Sequence, residues 1–460
     1  MLKKLFAPTD MTLGAPWKCI VMFTLPMLIG NIAQQLYSTV DSIVVGKYIG
    51  DGALAAVGSA MPIVNLLLVL FIGISVGSNI MVSQYYGARN REALSYAIGN
   101  SLTVTAVCSI ALMVAATPFI RPVLVMLNTP DTIIDGCADY LTISVIGIAG
   151  MAYYNILSSI IRGLGDSISA LVYLLVATVI NIVLDIYFVA SLQMGIAGVA
   201  LATIIAQLVS SVLCLVKLSK MREYFDFGWK YMLPKSDSVK TIIRLGLPSG
   251  LTQAIFASAM IVVQSLTNRF GDQFIAANVV VMRVDGFAMM PNFSFGTALT
   301  TYAGQNVGAG QYDRVTKGAR QGTLMAVGCS AVITAVILLF GKPLMGLFTD
   351  TAELVGLSYN LMKILAVGYI AMAVTQSLSG IMRGAGDAMT PMWISLITTV
   401  ALRVPVAYGI SWLTRTPELP YGIKECIQIS LLVSWVMGAV LTAMFYAGGK
   451  WKTKAINTGK

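Results

Sequence analysis

Apolar stretches of about 20 residues recur twelve times along this chain, from Trp17 to Ala447. Each is long enough to cross a hydrocarbon core of about 30 Å as a helix. Only 11% of the residues are charged and 57% are hydrophobic, whereas soluble domains carry roughly 25% charged residues. The sequence therefore predicts an all-α polytopic membrane protein with twelve transmembrane helices. The predicted spans are 17–46, 54–82, 93–116, 138–161, 168–190, 194–218, 240–268, 274–304, 314–340, 357–381, 389–412 and 422–447.

The distribution of basic residues predicts the orientation of these spans. With the N-terminus inside, 21 of the 30 lysines and arginines fall in inner segments and six in outer segments. Cytoplasmic segments of membrane proteins carry such an excess of positive charge. We therefore expect a multi-pass protein of the bacterial cytoplasmic membrane with both termini in the cytosol. The net charge of +10 then faces anionic lipid of the bilayer, and no nucleic-acid partner is expected.

Three short motifs recur in the same order, which indicates an internal duplication. RGLGD at 162–166 returns as RGAGD at 383–387, and QYYGA from Gln84 returns as QNVGA from Gln305, both with an offset of 221 residues. Leu25-Pro26 returns as Leu247-Pro248 with an offset of 222. A repeat of six helices begins and ends on one side of the membrane, so the copies are parallel. We expect two pseudo-symmetric six-helix bundles, 1–218 and 240–460, joined by a cytosolic linker at 219–239.

Several kinds of chemistry lack the residues that they need. The chain has no histidine, which removes the commonest general base and zinc ligand. It shows no Walker loop and no dinucleotide fingerprint, so neither an ATP-driven pump nor an enzyme is expected, and no cofactor. GISVG at 73–77 imitates a serine nucleophile motif but lies inside a span, where its glycines favour close helix contact.

Two aspartates inside the N-terminal bundle are candidates for ion coupling. Asp41 ends a polar stripe on the first span, and Asp185 lies one turn after Asn181 on the fifth. Thr203 on the sixth span falls at a similar depth. Two buried carboxylates without a countercharge are not both stable when ionised, so they share a proton or a bound cation such as Na⁺. A purely structural polar cluster is the alternative.

The C-terminal bundle carries charge of both signs. Asp285 and Arg403 fall at similar depth in the eighth and eleventh spans, so the leading expectation is a buried salt bridge. Arg283 adds positive charge nearby, which leaves open whether the cluster is a structural ion pair or a second binding site. Met282 and Met289 are candidates for an adaptable pocket, although such residues also serve as ordinary packing.

The chain resembles the multidrug and toxic compound extrusion (MATE) transporters over its whole length. The resemblance is carried by LPMLIGNIAQQLYSTVDSIVVGKYIG in the first span, the Q-x-x-G-A turns and the paired RGxGD loops. It implies two six-helix bundles that exchange protons or sodium for amphipathic, mostly cationic drugs. It also implies roles for individual residues: a cation site at Asp41, Asn181, Asp185 and Thr203, a helix bend at Pro26, and a drug cavity near Gln34, Tyr37 and Asn155.

One departure from the family pattern affects the coupling ion. The sodium-coupled branch carries acidic residues on spans seven and ten, and this sequence has none there. The resemblance therefore places the coupling site in the N-terminal bundle and favours protons. The basic residues of the C-terminal bundle leave zwitterionic or anionic substrates open. We expect a monomer in the lipid bilayer, with small-molecule drugs or organic cations as partners. A flippase of a lipid-linked sugar or other anionic lipid is the alternative.

Overall fold

The computed structural model describes residues 8–127 and 129–457, apart from the side chains of Ser38, Asp41, Ser42, Asp51 and Leu54. Throughout this described part the regular structure is helical. The first nine helices are α1 Pro16–Tyr48, α2 Asp51–Gly87, α3 Arg91–Ala116, α4 Ile120–Met126, α5 Asp131–Ile146, α6 Ile148–Gly163, α7 Ser167–Ile186, α8 Gly195–Lys220 and α9 Trp229–Met232. The others are α10 Ser236–Thr267, α11 Asp272–Gly308, α12 Tyr312–Gly346, α13 Ala352–Ala366, α14 Gly368–Gly384, α15 Met389–Leu396, α16 Arg403–Leu413 and α17 Cys426–Ala447.

The predicted count of twelve spans is confirmed. Within residues 8–127 and 129–457, ten helical segments are long and apolar enough to cross a membrane, and two bent pairs complete the twelve. The pairs are α5 with α6, bent by 49°, and α13 with α14, bent by 44°. Gly147 and Gly368 stand at the two breaks, 221 residues apart. A Cβ at Gly147 would collide with the Ile204 side chain, so the break allows a close approach to α8.

The duplication is also visible in the backbone. The RGxGD turns place Gly165 and Gly386 in the left-handed region, at φ of 96° and 100°. The aspartate that follows each glycine caps the next helix. Asp166 accepts a hydrogen bond from the Ser169 backbone N–H (2.9 Å), and Asp387 accepts one from the Thr390 backbone N–H (3.1 Å). The turns therefore serve helix initiation in both halves.

The described residues form two compact units, and two of the boundaries between them, at 24/25 and 250/251, fall inside helices. The N-terminal unit comprises 8–10, 25–250 and 456–457, and the C-terminal unit comprises 11–24 and 251–455. The sequence instead predicts a boundary in the linker at 219–239. The first half of α10 packs on α2 in the N-terminal unit, because glycines let the two backbones meet. A Cβ at Gly73 would lie 2.7 Å from the Gly246 carbonyl oxygen, so GISVG is the predicted helix contact.

The linker lies on α3 within the N-terminal unit. The buried Asn100 amide donates to the backbone oxygens of Tyr231 (3.0 Å) and Leu233 (3.2 Å) and accepts from the Lys235 N–H (2.6 Å). The Arg91 guanidinium donates to Asp226 Oδ1 (2.7 Å) and to neighbouring linker carbonyls. The linker is thereby held by side chains of one helix.

Two glutamines at the same position of the two repeats accept hydrogen bonds from segments near the two ends of the chain. In the N-terminal unit, Gln84 Oε1 accepts a hydrogen bond from the Ile456 N–H (2.9 Å). In the C-terminal unit, Gln305 Oε1 accepts one from the Met11 N–H (2.9 Å), and Arg314 donates to the Met11 carbonyl (3.0 Å). The glutamines of the repeated Q-x-x-G-A motif therefore share a structural role.

Candidate functional site

Four predicted site residues of the N-terminal unit meet in one cluster, in which Tyr37 and Thr203 are half-buried. Asn181 and Asp185 are 2% and 1% exposed on the inner face of α7. The Asn181 amide, turned so that its nitrogen faces the carboxylate, donates to Asp185 Oδ2 (2.8 Å) and accepts from the Thr203 N–H (3.1 Å). The Tyr37 hydroxyl lies 3.1 Å from Thr203 Oγ1. Side chains of α1, α7 and α8 are thereby linked in one hydrogen-bonded chain.

The position of this cluster follows from the sequence of α7. Ala170, Ala177, Asn181 and Asp185 recur at helical spacing and form the buried face of this helix. Directly after Asp185 the helix widens into a π-helical segment at Tyr187–Ser191. Such segments are rare and are frequent at functional sites. This change of helix type was not predicted from the sequence.

The other predicted site residues of the N-terminal unit are Gln34, Pro26, Asn155 and Asp41. Gln34 is exposed on α1, and Pro26 lies inside the same helix. The Asn155 amide donates to the Met151 carbonyl of its own helix (2.8 Å). The Asp41 side chain lies outside the described residues.

The C-terminal unit contains a cavity of about 390 Å³. Asp285, Met282 and Met289 line it, as does Arg403. The predicted salt bridge between Asp285 and Arg403 is wrong. Within the described part of the chain no ion pair shorter than 4.0 Å joins them. The Asp285 carboxylate instead accepts a hydrogen bond from the Tyr369 hydroxyl (2.9 Å).

Tyr369 and Gln428 also belong to this site, and neither was predicted from the sequence. Tyr369 follows Gly368 at the break of the tenth span, and the same position of the first repeat is Ile148. Gln428 is buried on α17 and donates from Nε2 to Asn278 Oδ1 (2.9 Å). Tyr369 could have been predicted as a site residue, because it is a polar residue at a position where the other repeat has an apolar one.

The architecture and the two polar sites indicate the class of protein to which this chain belongs. Apolar spanning helices in two duplicated units, with polar groups buried inside each, are typical of membrane transporters. The MatE family model matches residues 26–187 and again 248–409, which confirms the duplication. The chain belongs to the multidrug and toxic compound extrusion (MATE) family and is a multi-pass membrane transporter, not an enzyme.

Relatives of known name and solved structures agree with this assignment. The probable multidrug resistance protein YoeA of Bacillus subtilis is 30% identical over 91% of this chain and 92% of its own length. The probable multidrug resistance protein YpnP of the same organism is 30% identical over 98% of this chain and 99% of its own length. A MATE crystal structure in the straight conformation has a TM-score of 0.89 at 23% identity, covering 96% of this chain and 98% of that one. This similarity shows that the two proteins share a fold.

Proposed function

We propose that this transporter is a secondary active antiporter that exports amphipathic, mostly cationic organic compounds in exchange for protons or sodium ions. Relatives named as probable multidrug resistance proteins cover nearly the whole chain, which supports drug efflux. The Asp185 cluster is the observation that carries the coupling part of the proposal.

The chemistry of the cluster suits a coupling ion. The Asp185 carboxylate is almost fully buried and receives an uncharged donor from Asn181. An ionised carboxylate inside a membrane costs about 2.5–3.5 kcal/mol even on lenient scales, and a proton or a bound Na⁺ removes that charge. Carboxylate, amide and hydroxyl oxygens also suit a hard cation. We propose Asp41, on the neighbouring α1, as the second carboxylate of this site.

Neutralisation of Asp185 affects α1 through shared hydrogen bonds. Asn181 connects the carboxylate to Thr203, and Thr203 connects to Tyr37 on α1. Pro26 removes one backbone hydrogen bond from this helix and makes it easier to bend. We propose that occupation of the Asp185 cluster changes the shape of α1 and thereby the access of Gln34, Tyr37 and Asn155 to substrate.

The proposal also includes the location, the membrane orientation and the oligomeric state of the protein. The excess of lysine and arginine in the predicted inner segments supports cytosolic termini in a bacterial plasma membrane. The protein acts as a monomer in lipid, and Asp285, Met282 and Met289 contribute a substrate surface in the C-terminal unit. A flippase for anionic lipid would need a cavity rich in arginine and lysine. This cavity is instead lined by one arginine and one aspartate, which favours drug efflux.

Transport in proteoliposomes tests the proposal. Efflux of the organic cation ethidium is measured under an imposed proton gradient or an imposed sodium gradient, and the coupling gradient alone is expected to drive it. Asp41→Asn and Asp185→Asn are each expected to slow exchange at least about tenfold. Asp135→Asn is the matched control, because this carboxylate is exposed and paired with Arg121 (3.0 Å). Wild-type rates in both site variants, at equal incorporation, would contradict the proposal.

A further inference from the structure

The C-terminal cavity holds two opposite charges that do not neutralise each other directly. Asp285 and Arg403 both line it, yet no ion pair joins them within the described residues. A charge held in a membrane interior is costly unless it is paired. Each group therefore gains from a partner of opposite charge that enters the cavity.

The hydrogen bonds of these groups show where a ligand fits. The Tyr369 hydroxyl occupies Asp285 Oδ1 and leaves Oδ2 for another donor. The buried Arg403 Nε has no hydrogen-bond partner among the described residues. A guanidinium in this state is suited to a carboxylate, which accepts two parallel hydrogen bonds from it.

Gln428 adds a third unsatisfied group. Its Nε2 donates to Asn278 Oδ1, but its buried Oε1 has no donor within the described part of the chain. A buried acceptor without a donor is unfavourable, and a ligand N–H removes the penalty. The cavity therefore offers one donor group for an anion and two acceptors for a cationic or N–H group.

Size and apolar walls restrict the ligand further. A volume of about 390 Å³ lies within the range of roughly 300–1,000 Å³ that is usual for drug-sized ligands, and it is too small for a phospholipid with two acyl chains. Phe256, Met282, Met289 and Trp435 contribute apolar and aromatic surface. Methionine side chains adapt to different shapes, so the walls accept an aromatic body without requiring one compound.

We propose that this cavity binds zwitterionic amphipathic aromatic compounds, with the anionic group at Arg403 and the cationic group at Asp285. This inference rests on the proposed export function and names a substrate class for it. Because the cavity contains one charge of each sign, a ligand that carries both satisfies both groups. A simple cation satisfies Asp285 and leaves Arg403 unpaired.

A matched pair of dyes tests this assignment. Rhodamine 110 carries a free carboxylate beside its cationic ring system, and its methyl ester, rhodamine 123, is a cation. Binding to the purified full chain in nanodiscs is followed by fluorescence polarisation. Rhodamine 110 is expected to bind more tightly to wild type, and Arg403→Gln is expected to raise its Kd about tenfold while the Kd of the ester stays within about twofold. Asp285→Asn is expected to weaken both dyes.

Two further variants separate a ligand contact from a folding defect. Arg283→Gln removes an equal charge from α11 at an exposed position outside the cavity, and both Kd values are expected to stay unchanged. Arg403→Lys keeps the charge but not the two parallel hydrogen bonds, and it is expected to restore part of the affinity for rhodamine 110. Equal effects of Arg403→Gln on both dyes, or no effect on either, would overturn the assignment, as would weaker wild-type binding of rhodamine 110 than of its ester.

This readout is independent of the proposed antiport. If the wild-type protein shows no gradient-driven efflux of ethidium, the transport proposal is refuted, whereas the discrimination between the two dyes at Arg403 is unaffected. Failure of the dye discrimination with normal, Asp185-dependent efflux would refute the cavity assignment alone.

Discussion

Contact between α2 and α10 gives the most direct test of how the N-terminal unit is built. In Gly246→Ala the new Cβ would lie 2.7 Å from the Gly73 carbonyl oxygen and 3.0 Å from its carbonyl carbon. These are backbone atoms, so no side-chain rotation relieves the contact and the helices must separate. Overpacking of this kind costs about 1–3 kcal/mol, and replacement of a helical glycine by alanine returns up to about 1 kcal/mol. Because the obstructing atoms are backbone atoms, the upper part of that cost applies, about 2–3 kcal/mol, and the expected net loss is about 1–2 kcal/mol.

Thermal unfolding of the full chain in detergent, at one scan rate, measures this loss. A cooperative unit of about 200 residues loses roughly 2–4 °C per kcal/mol, so the midpoint should fall by about 2–8 °C. Gly328→Ala is the matched control, because a Cβ at this position of α12 meets nothing within 4 Å and should be neutral or stabilising. If Gly246→Ala were as stable as Gly328→Ala, close backbone packing would not be what holds α10 on α2.

Three further predictions concern the hydrogen bonds made by Asn100, Gln84 and Arg91. Asn100→Ala should speed tryptic cleavage of the linker at least about tenfold, since the three hydrogen bonds between the Asn100 amide and the linker are lost. Gln84→Leu should lower the unfolding midpoint by a few degrees, because the Ile456 N–H loses its acceptor at a cost of about 1–3 kcal/mol. The hydrogen bond from Arg91 lowers the pKa of Asp226 from its usual 3.8. This contribution to stability is present above pH 4 and lost as the pH falls through the lowered pKa, so the midpoint difference between wild type and Asp226→Asn should shrink below about pH 4.

Span number, duplication and the residues of the Asp185 cluster were predictable because they depend on local patterns. Apolar length shows a span regardless of its neighbours, and a four-residue spacing places Asn181 and Asp185 on one face. Thr203 was placed by counting depth along an antiparallel helix, and its backbone N–H indeed contacts Asn181. Such reasoning succeeds where the geometry of one helix fixes the answer.

The choice of partner between distant segments was not predictable in this way. Equal depth placed Asp285 and Arg403 in one cavity but did not reveal that Tyr369 takes the carboxylate. The glycines of GISVG predicted a close contact without naming the other helix. A second small-residue pair, Gly246 and Gly250, stands four residues apart in α10 and was the missing signal.

The two repeats share their framework but not their polar interiors. At the offset of 221 residues, Asp185 corresponds to Val406, and Arg403 corresponds to Ile182. Glycine turns and capping aspartates are kept in both halves because each half needs the same chain reversal. Comparison of the halves therefore separates residues that build the bundle from those that give each unit its own site.

Each unit includes the beginning of a helix that continues in the other. Residues 236–250 belong to the N-terminal unit, and residues 11–24 belong to the C-terminal unit. Equivalent amides receive the two segments: Asn100 accepts from the Lys235 N–H, and Gln321, 221 residues later, accepts from the Trp17 N–H (3.0 Å). Between separate molecules such a reciprocal exchange of identical elements is a domain swap. A fragment holding one half of this chain lacks a structural element of its own bundle, so the halves are expected to fold when they are produced together and not singly.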